Sequence, residues 1–336
     1  MHAHLQFDYV RPETLKEAMA VLGEHGKEAR LMAGGTELLV NMKQHAMAPK
    51  VLIDIQAIPE VWGITREGGN LRIGARTTLR ALEGAPEIMQ GVPMLAEVVL
   101  SIATVQVRNL GTIGGNICQT VKCPFYNQTH INLFMREAIE PCRQKGGKVC
   151  HAQGVDSLTH AVLGRPVNGC IATTASDLAA PLCALEASAG AVGPDGGREI
   201  PMEEFFVGGG RTALRENEIL THVTVPVTEK GTRARYLKHA HGTWNFPILG
   251  LAAVLRKDQD HEIDAGIVIS GISPKPLRLS AVQKSIRDGK IGRPDIAEAF
   301  QRDVKGARQI GEESAYKLKR ACVMVQDTLE FLMEQQ

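Results

Sequence analysis

Two glycine-rich turns, Ala33-Gly34-Gly35-Thr36 and Gly111-Thr112-Ile113-Gly114-Gly115, constrain this chain more than any other feature. Backbone amides can close on an anionic group such as a pyrophosphate only where side chains are absent and dihedrals are unusual. Neither turn is a G-x-G-x-x-G fingerprint followed by an acidic residue, so the common dinucleotide-binding parallel sheet is not indicated. One GG turn alone is more often structural than ligand-binding. Two of them, each feeding a helix or loop start, mark a candidate cradle.

The patterns around these turns predict three segments. In the first, residues 1–57, Leu15, Ala18, Met19 and Leu22 recur at helical spacing and Gly23 to Gly26 closes the helix. A strand at Ala29 to Met32, the first glycine turn, a helix at Glu37 to Lys43 and a strand at Val51 to Ile55 complete a small β-α-β unit. The second segment, 58–228, has a strand at Leu71 to Ala75, helices at Thr78 to Leu82 and Met94 to Ser101, and the second turn. A cysteine-bearing insert at about 118–170 follows, then strands at Cys170 to Thr173 and Ser188 to Val192 about a helix start at Ser176-Asp177. The turn Gly193-Pro194-Asp195-Gly196-Gly197 leads into a strand at Arg198 to Pro201. In the third segment, 229–336, Arg235 to His239, Ala252 to Arg256 and Gly266 to Gly271 alternate like an antiparallel sheet. Helices at Pro294 to Ala307 and Glu312 to Glu334 end the chain, the latter with a stripe of Ala315, Leu318, Cys322 and Val325.

Seven cysteines in 336 residues, with a polar Met1 to Arg11 and no signal-peptide core, point to a reducing, cytoplasmic compartment. No run of about 18 apolar residues exists to span a membrane. A net charge of +1 gives no reason to expect nucleic acid. Charge is uneven, however. Between Cys118 and Cys150, Lys122, Arg136, Arg143, Lys145 and Lys148 face only Glu137 and Glu140, a local +3. Such a patch is either a solvated loop or a docking surface for an acidic partner such as a ferredoxin, since complementary charge steers encounter.

Cys123, Cys142, Cys150 and Cys170 stand at the spacing C-x18-C-x7-C-x19-C. Four thiolates can hold an iron-sulfur cluster or a tetrahedral zinc, and unligated thiols are a third reading. The short C-x2-4-C knuckles usual for zinc are absent among these spacings. Cys183 and Cys322 lie on apolar helical faces and read as small buried hydrophobes.

Four strings sharpen this reading: Leu31 to Leu38 (LMAGGTEL), Arg108 to Asn116 (RNLGTIGGN), Ser176 to Ala179 (SDLA) and Tyr236 to Lys238 (YLK). Their order and spacing resemble the FAD-binding subunits of molybdenum hydroxylases, the xanthine dehydrogenase and carbon monoxide dehydrogenase flavoprotein family. The resemblance covers essentially the whole chain. It implies an α+β fold: a two-subdomain, PCMH-type FAD-binding fold followed by an α+β domain of the carbon monoxide dehydrogenase flavoprotein type. By the same resemblance, Leu31, Met32, Ala33, Gly34, Gly35, Thr36, Glu37 and Leu38, with Gly111, Thr112, Ile113, Gly114, Gly115 and Asn116, wrap the FAD pyrophosphate. Ile102 lies near the cofactor, Asp177 hydrogen-bonds it, and Leu220 and Lys238 flank the isoalloxazine. Asp177 fits equally well as an N-cap. After Lys238 the family tends to carry an arginine and an acidic residue before a phenylalanine. Here the run is His239-Ala240-His241-Gly242-Thr243-Trp244-Asn245-Phe246, in which Trp244 either shields the flavin or packs.

The insert resembles two cluster-bearing subgroups, the β subunit of 4-hydroxybenzoyl-CoA reductase and the flavin subunit of periplasmic aldehyde oxidoreductase. The strings Lys122 to Gln128 and Gly169 to Thr173 carry that likeness. It implies a 4Fe-4S cluster on Cys123, Cys142, Cys150 and Cys170, with Cys118 excluded because members without any cluster often have cysteine there. The implied function is electron transfer through FAD and the cluster, with substrate chemistry on another chain. Implied partners are a molybdopterin-binding large subunit and a small subunit with two 2Fe-2S clusters, and the external carrier is ferredoxin-like or NAD. The competing reading is a stand-alone FAD-binding protein with a structural zinc, serving as a scaffold or an NAD-linked reductase.

Overall fold

The computed structural model describes residues 6–127, 140–257 and 263–334. The N-terminal unit is a three-stranded parallel sheet with Val51–Asp54 at its centre, flanked by Asp8–Val10 and Ala29–Met32. All four residues of the central strand are buried, as its unbroken apolar run requires of a strand covered on both faces. Asp8–Val10 is an edge strand of largely exposed residues, without the apolar alternation that would announce it in the sequence. The helix Leu15–His25 packs Ala18 and Leu22 onto this sheet. Its N-cap Thr14 accepts from Glu17 N–H at 3.2 Å, and Gly26, at φ +49°, ends it.

A five-stranded antiparallel sheet forms the second layer, in the order Ile64–Glu67, Asn70–Gly74, Ile219–Pro226, Ser188–Gly193 and Gly196–Pro201. Short helices at Leu79–Glu83, Pro86–Gly91 and Pro93–Leu100 cover it and enclose a core of Ile73, Leu82, Ile88, Leu95, Val98 and Phe205. The third sheet is an antiparallel meander of Arg233–His239, Leu249–Lys257, Ile263–Ser270 and Leu277–Arg278. Its period of two divides two cores. Tyr236, Ala252, Val254 and Val268 face the second layer, while Leu251, Ala253, Leu255, Ile267 and Ile269 face the C-terminal helices. The fold is thus α+β, with sheets and helices segregated rather than alternating.

The structure departs from the sequence reading at several elements. Cys170 to Thr173 is not a strand; the segment makes only the isolated bridges Val167↔Cys170 and His160↔Ala172. The helix expected at Ser176-Asp177 begins at Ala179, with Leu178 at its N-cap and no side-chain cap, so Asp177 does not cap it. A helix at Ser280–Arg287 was not foreseen. On Glu312–Glu334 the buried stripe runs through Ser314, Lys317, Leu318, Ala321, Met324 and Val325, leaving Ala315 and Cys322 half-buried at its margins.

Lys317 is the unexpected member of that stripe. It is fully buried, and its Nζ donates to the carbonyls of Leu158 at 2.6 Å and His160 at 2.9 Å. Asp156 caps the same helix by accepting from Glu313 and Ser314 N–H, and Val162 N–H donates to Ile272 O. The insert is thereby moored to the C-terminal domain by hydrogen bonds rather than by regular structure.

Burial lowers the Lys317 pKa from 10.5 to about 7. Between those values the unfolded chain binds a proton that the folded chain does not. The Lys317 contribution to stability should therefore rise with pH from about 7 upward, until the buried thiols, raised above their ordinary 9.0, begin to oppose it. Denaturant melts from pH 7 to about 8.5, below the ordinary thiol range, should show this rise in the native chain and a flatter profile in Lys317→Met.

Candidate cofactor-binding site

The first glycine turn lies where the N-terminal sheet meets the second layer. A Cβ on Gly34 would fall 1.8 Å from the carbonyl oxygen of Leu110, so only glycine lets the two turns touch. Gly35 sits at φ +68°, a conformation that disfavours any side chain before steric contacts are considered. Among the described residues, the backbone N–H groups of Gly34 to Leu38 donate to no protein acceptor, although the segment is only partly exposed. Five such donors in a tight turn leading into the helix Leu38–Lys43 make a ready receptor for an anion.

Glu37 closes one end of this turn. Its carboxylate accepts from Asn41 Nδ2 at 3.1 Å and Thr120 N–H at 3.0 Å, and pairs with Lys122. Burial alone would raise its pKa, but the Lys122 ammonium and the donated hydrogen bonds hold it below the usual range. Lys122 also stands 4.8 Å over the Phe246 ring.

The second turn is built differently. Thr112 caps the helix Ile113–Ile117 through Gly115 N–H at 3.0 Å, while Ile113 and Gly114 N–H donate to Thr77 O and Ala75 O. An anion here would share these amides rather than claim them. Gly115 is exposed, and its missing side chain faces open space except for Thr112 Oγ1 at 3.1 Å. Asn116 Oδ1 accepts from Ser176 Oγ at 2.6 Å, joining the turn to the segment that carries Asp177.

Asp177 and Lys238, each less than a tenth exposed, form an ion pair at 2.9 Å, and Tyr236 OH donates to the same carboxylate oxygen at 3.3 Å. Burial pushes the Asp177 carboxyl up, against the pull of the Lys238 ammonium. Lys238 Nζ also donates to Ser101 O at 2.8 Å. The next two carbonyls, Ile102 and Ala103, accept from the buried Arg108 guanidinium, which pairs with Glu83 at 3.1 Å. Two cations therefore grip the chain on either side of Ile102, and Ala103 is held at φ +45°. Leu220 is buried with Cδ2 3.2 Å from where a Gly114 Cβ would lie. Trp244 is 68% exposed and so does not pack within the chain.

The four cysteines from distant parts of the insert converge. Cys123, Cys142, Cys150 and Cys170 line one small pocket, with Val121, Tyr126, Gln144 and Ala152. Cys118 instead packs against the core of the second layer. Burial, with smaller contributions from neighbouring thiols, pushes Cys123 up to about 11 and also raises Cys170. Among the described residues, no three His, Cys, Asp or Glu side chains are grouped so as to hold a single metal ion. His160, which sequence reasoning did not single out, brings Nε2 within 3.5 Å of Cys123 Sγ. Of the basic insert, Arg143 and Lys148 are exposed, Lys145 is half-buried and Lys122 is occupied by Glu37. Arg136 and Glu137 lie outside the described residues.

Comparison with known proteins accords with this geometry. The family model for the FAD binding domain in molybdopterin dehydrogenase matches residues 5–228. The carbon monoxide dehydrogenase medium chain of Hydrogenophaga pseudoflava is 31% identical over 96% of both chains. The aldehyde oxidoreductase FAD-binding subunit PaoB of Escherichia coli is 29% identical over 84% of this chain and 86% of its own length. Among solved structures, carbon monoxide dehydrogenase from Hydrogenophaga pseudoflava lacking the Mo-pyranopterin moiety superposes with a TM-score of 0.76 at 29% identity, covering 98% of each chain. The chain belongs to the FAD-binding medium subunits of the molybdenum hydroxylase family, and it is an oxidoreductase subunit.

The two glycines of the second turn should separate in a stability measurement. A Cβ on Gly114 would lie 2.7 Å from Ala75 O, so Gly114→Ala should destabilise the fold by about 1–3 kcal/mol in chemical denaturation. Gly115→Ala should stay within roughly 0.5 kcal/mol of the native chain.

Proposed function

We propose that this chain relays electrons through a non-covalently held FAD and a 4Fe-4S cluster, within a complex whose substrate is transformed on another subunit. Bound there, the flavin exchanges electrons in pairs or singly and the cluster exchanges them one at a time. The chain's own work is to orient, desolvate and tune these groups. Gly34 to Leu38 offer their amides to the pyrophosphate, Gly115 lets it approach, and the Lys238–Asp177 pair fixes the wall around Ile102 and Leu220.

The observation that carries the cluster half is the convergence of Cys123, Cys142, Cys150 and Cys170 on one pocket, away from Cys118. A zinc ion with sulfurs at about 2.3 Å needs its ligands drawn closely together. In a 4Fe-4S cluster each thiolate binds a different iron, and four thiols on one pocket wall, with no short C-x2-4-C knuckle among them, suit the cluster better than the zinc alternative. The four ligands must be thiolates, so loading a site whose Cys123 is raised to about 11 would release protons.

A molybdopterin-binding large subunit and a small subunit with two 2Fe-2S clusters are the partners this reading requires. The exposed Arg143 and Lys148 beside the thiol pocket suit an acidic, ferredoxin-like carrier. Lys122 does not belong to that surface, because Glu37 and Phe246 engage it.

The test is composition measured on four proteins. The native chain in its complex should yield about one FAD, released intact on denaturation, and iron and acid-labile sulfide in equal amounts, about four of each beyond those of the two 2Fe-2S clusters. Gly115→Ala should keep its fold and bind FAD at least tenfold more weakly. Cys170→Ala should lose the EPR signal of the reduced cluster, whereas Cys118→Ala should retain it. Zinc in place of iron, or a cluster lost in Cys118→Ala and kept in Cys170→Ala, would overturn the assignment.

A further inference from the structure

His160 has no role in the reading above, yet it is 3% exposed and touches Cys123, one of the thiols that line the pocket. Its Nε2 lies 3.5 Å from Cys123 Sγ; its Nδ1 is buried and makes no hydrogen bond of normal geometry among the described residues, although the Val155 carbonyl stands close enough to the ring to favour its charged form. A polar ring buried this way is costly unless the contacts it makes are strong. A neutral thiol is a weak acceptor, whereas an iron-bound thiolate is a good one.

The surrounding backbone fixes the ring rather than leaving it to drift. The Lys317 ammonium donates to His160 O at 2.9 Å, and His160 N–H donates to Ser157 O. An isolated bridge pairs His160 with Ala172, and Ala161 N–H donates to Ile171 O at 2.7 Å, tying this segment to the chain that carries Cys170. His160 is thus anchored to one cysteine through its ring and to the neighbourhood of another through its backbone.

We propose that His160 is a positioning and tuning residue of the cluster: its Nε2–H donates to the Cys123 thiolate and raises the cluster's reduction potential. The inference rests on the 4Fe-4S reading. A hydrogen bond to a ligating sulfur stabilises the reduced state, which carries one more negative charge, more than the oxidised state. For this role the ring carries its hydrogen on Nε2, leaving Nδ1 bare. Lys317 acts one step further out, holding the His160 carbonyl and with it the backbone that carries the ring.

The experiment is an EPR-monitored redox titration of the complex carrying native chain, His160→Leu and His160→Gln, each assayed for iron and sulfide. At a fixed potential near the native midpoint, His160→Leu should lower the reduced-to-oxidised ratio of the cluster about tenfold, equivalent to 59 mV for one electron. His160→Gln, which keeps an N–H donor, should recover part of that shift. Equal midpoints at equal cluster content would overturn the proposal. In native protein labelled with 15N-histidine, pulsed EPR of the reduced cluster should also detect a coupled histidine nitrogen that His160→Gln lacks. Absence of that coupling overturns the proposal even if His160→Leu sheds its cluster. A native complex with no iron and sulfide beyond those of its two 2Fe-2S clusters would overturn the cluster reading itself, which the same assay reveals separately.

Discussion

The contact between Gly34 and the carbonyl of Leu110 sets the geometry on which the rest of the molecule depends. With 1.8 Å between that oxygen and any Cβ on Gly34, a single methyl group would part the two glycine turns and the layers that carry them. Because they meet, the unclaimed amides of the first turn and the open face of Gly115 lie on one seam between the N-terminal sheet and the second layer. The amides on the two sides are not equivalent. The second turn spends Ile113, Gly114 and Gly115 N–H on holding itself in place, which leaves the first turn as the stronger anion donor.

The same turn reaches the cysteine insert. Glu37, three residues beyond Gly34, binds Thr120 and Lys122, and Lys122 precedes Cys123 directly in the chain. The proposed flavin and cluster sites therefore share a hinge of one carboxylate and one ammonium, both mostly buried. On its far side the insert is held by Asp156, which accepts from the first turn of the C-terminal helix, and by Lys317 of that helix, which donates to the insert carbonyls of Leu158 and His160. A segment with almost no regular structure is placed by these polar anchors at both ends. Breaking one buried partner leaves the other uncompensated, which is why such anchors fix position more than they add stability.

Much of this was legible in the residues. The strands Ala29–Met32 and Val51–Asp54, the helix Glu312–Glu334 and the alternation through Leu249–Lys257 follow directly from apolar periodicity. The edge strand Asp8–Val10 was hidden because an exposed edge needs no apolar face. The helices Val105–Leu110 and Ile113–Ile117 were hidden by glycines and short length, though Thr104 and Thr112 stood as caps at their starts. Lys317 could not be read as buried, since the carbonyls that receive its ammonium lie 157 and 159 residues away in sequence. The pairing of His160 with Cys123, 37 residues apart on irregular chain, leaves no periodic signature either. The four cysteines were recognisable as a set; their meeting in one pocket is a property of the fold alone.

The claim that this chain carries a polynuclear iron centre beside its flavin is tested most directly by anomalous X-ray scattering from a crystal of the oxidised protein at the iron edge. The account predicts one strong anomalous peak enclosed by the Sγ atoms of Cys123, Cys142, Cys150 and Cys170, with difference density for a flavin along the seam of the two glycine turns. A peak that appears at the zinc edge and not at the iron edge, or an iron signal elsewhere in the chain, would contradict it.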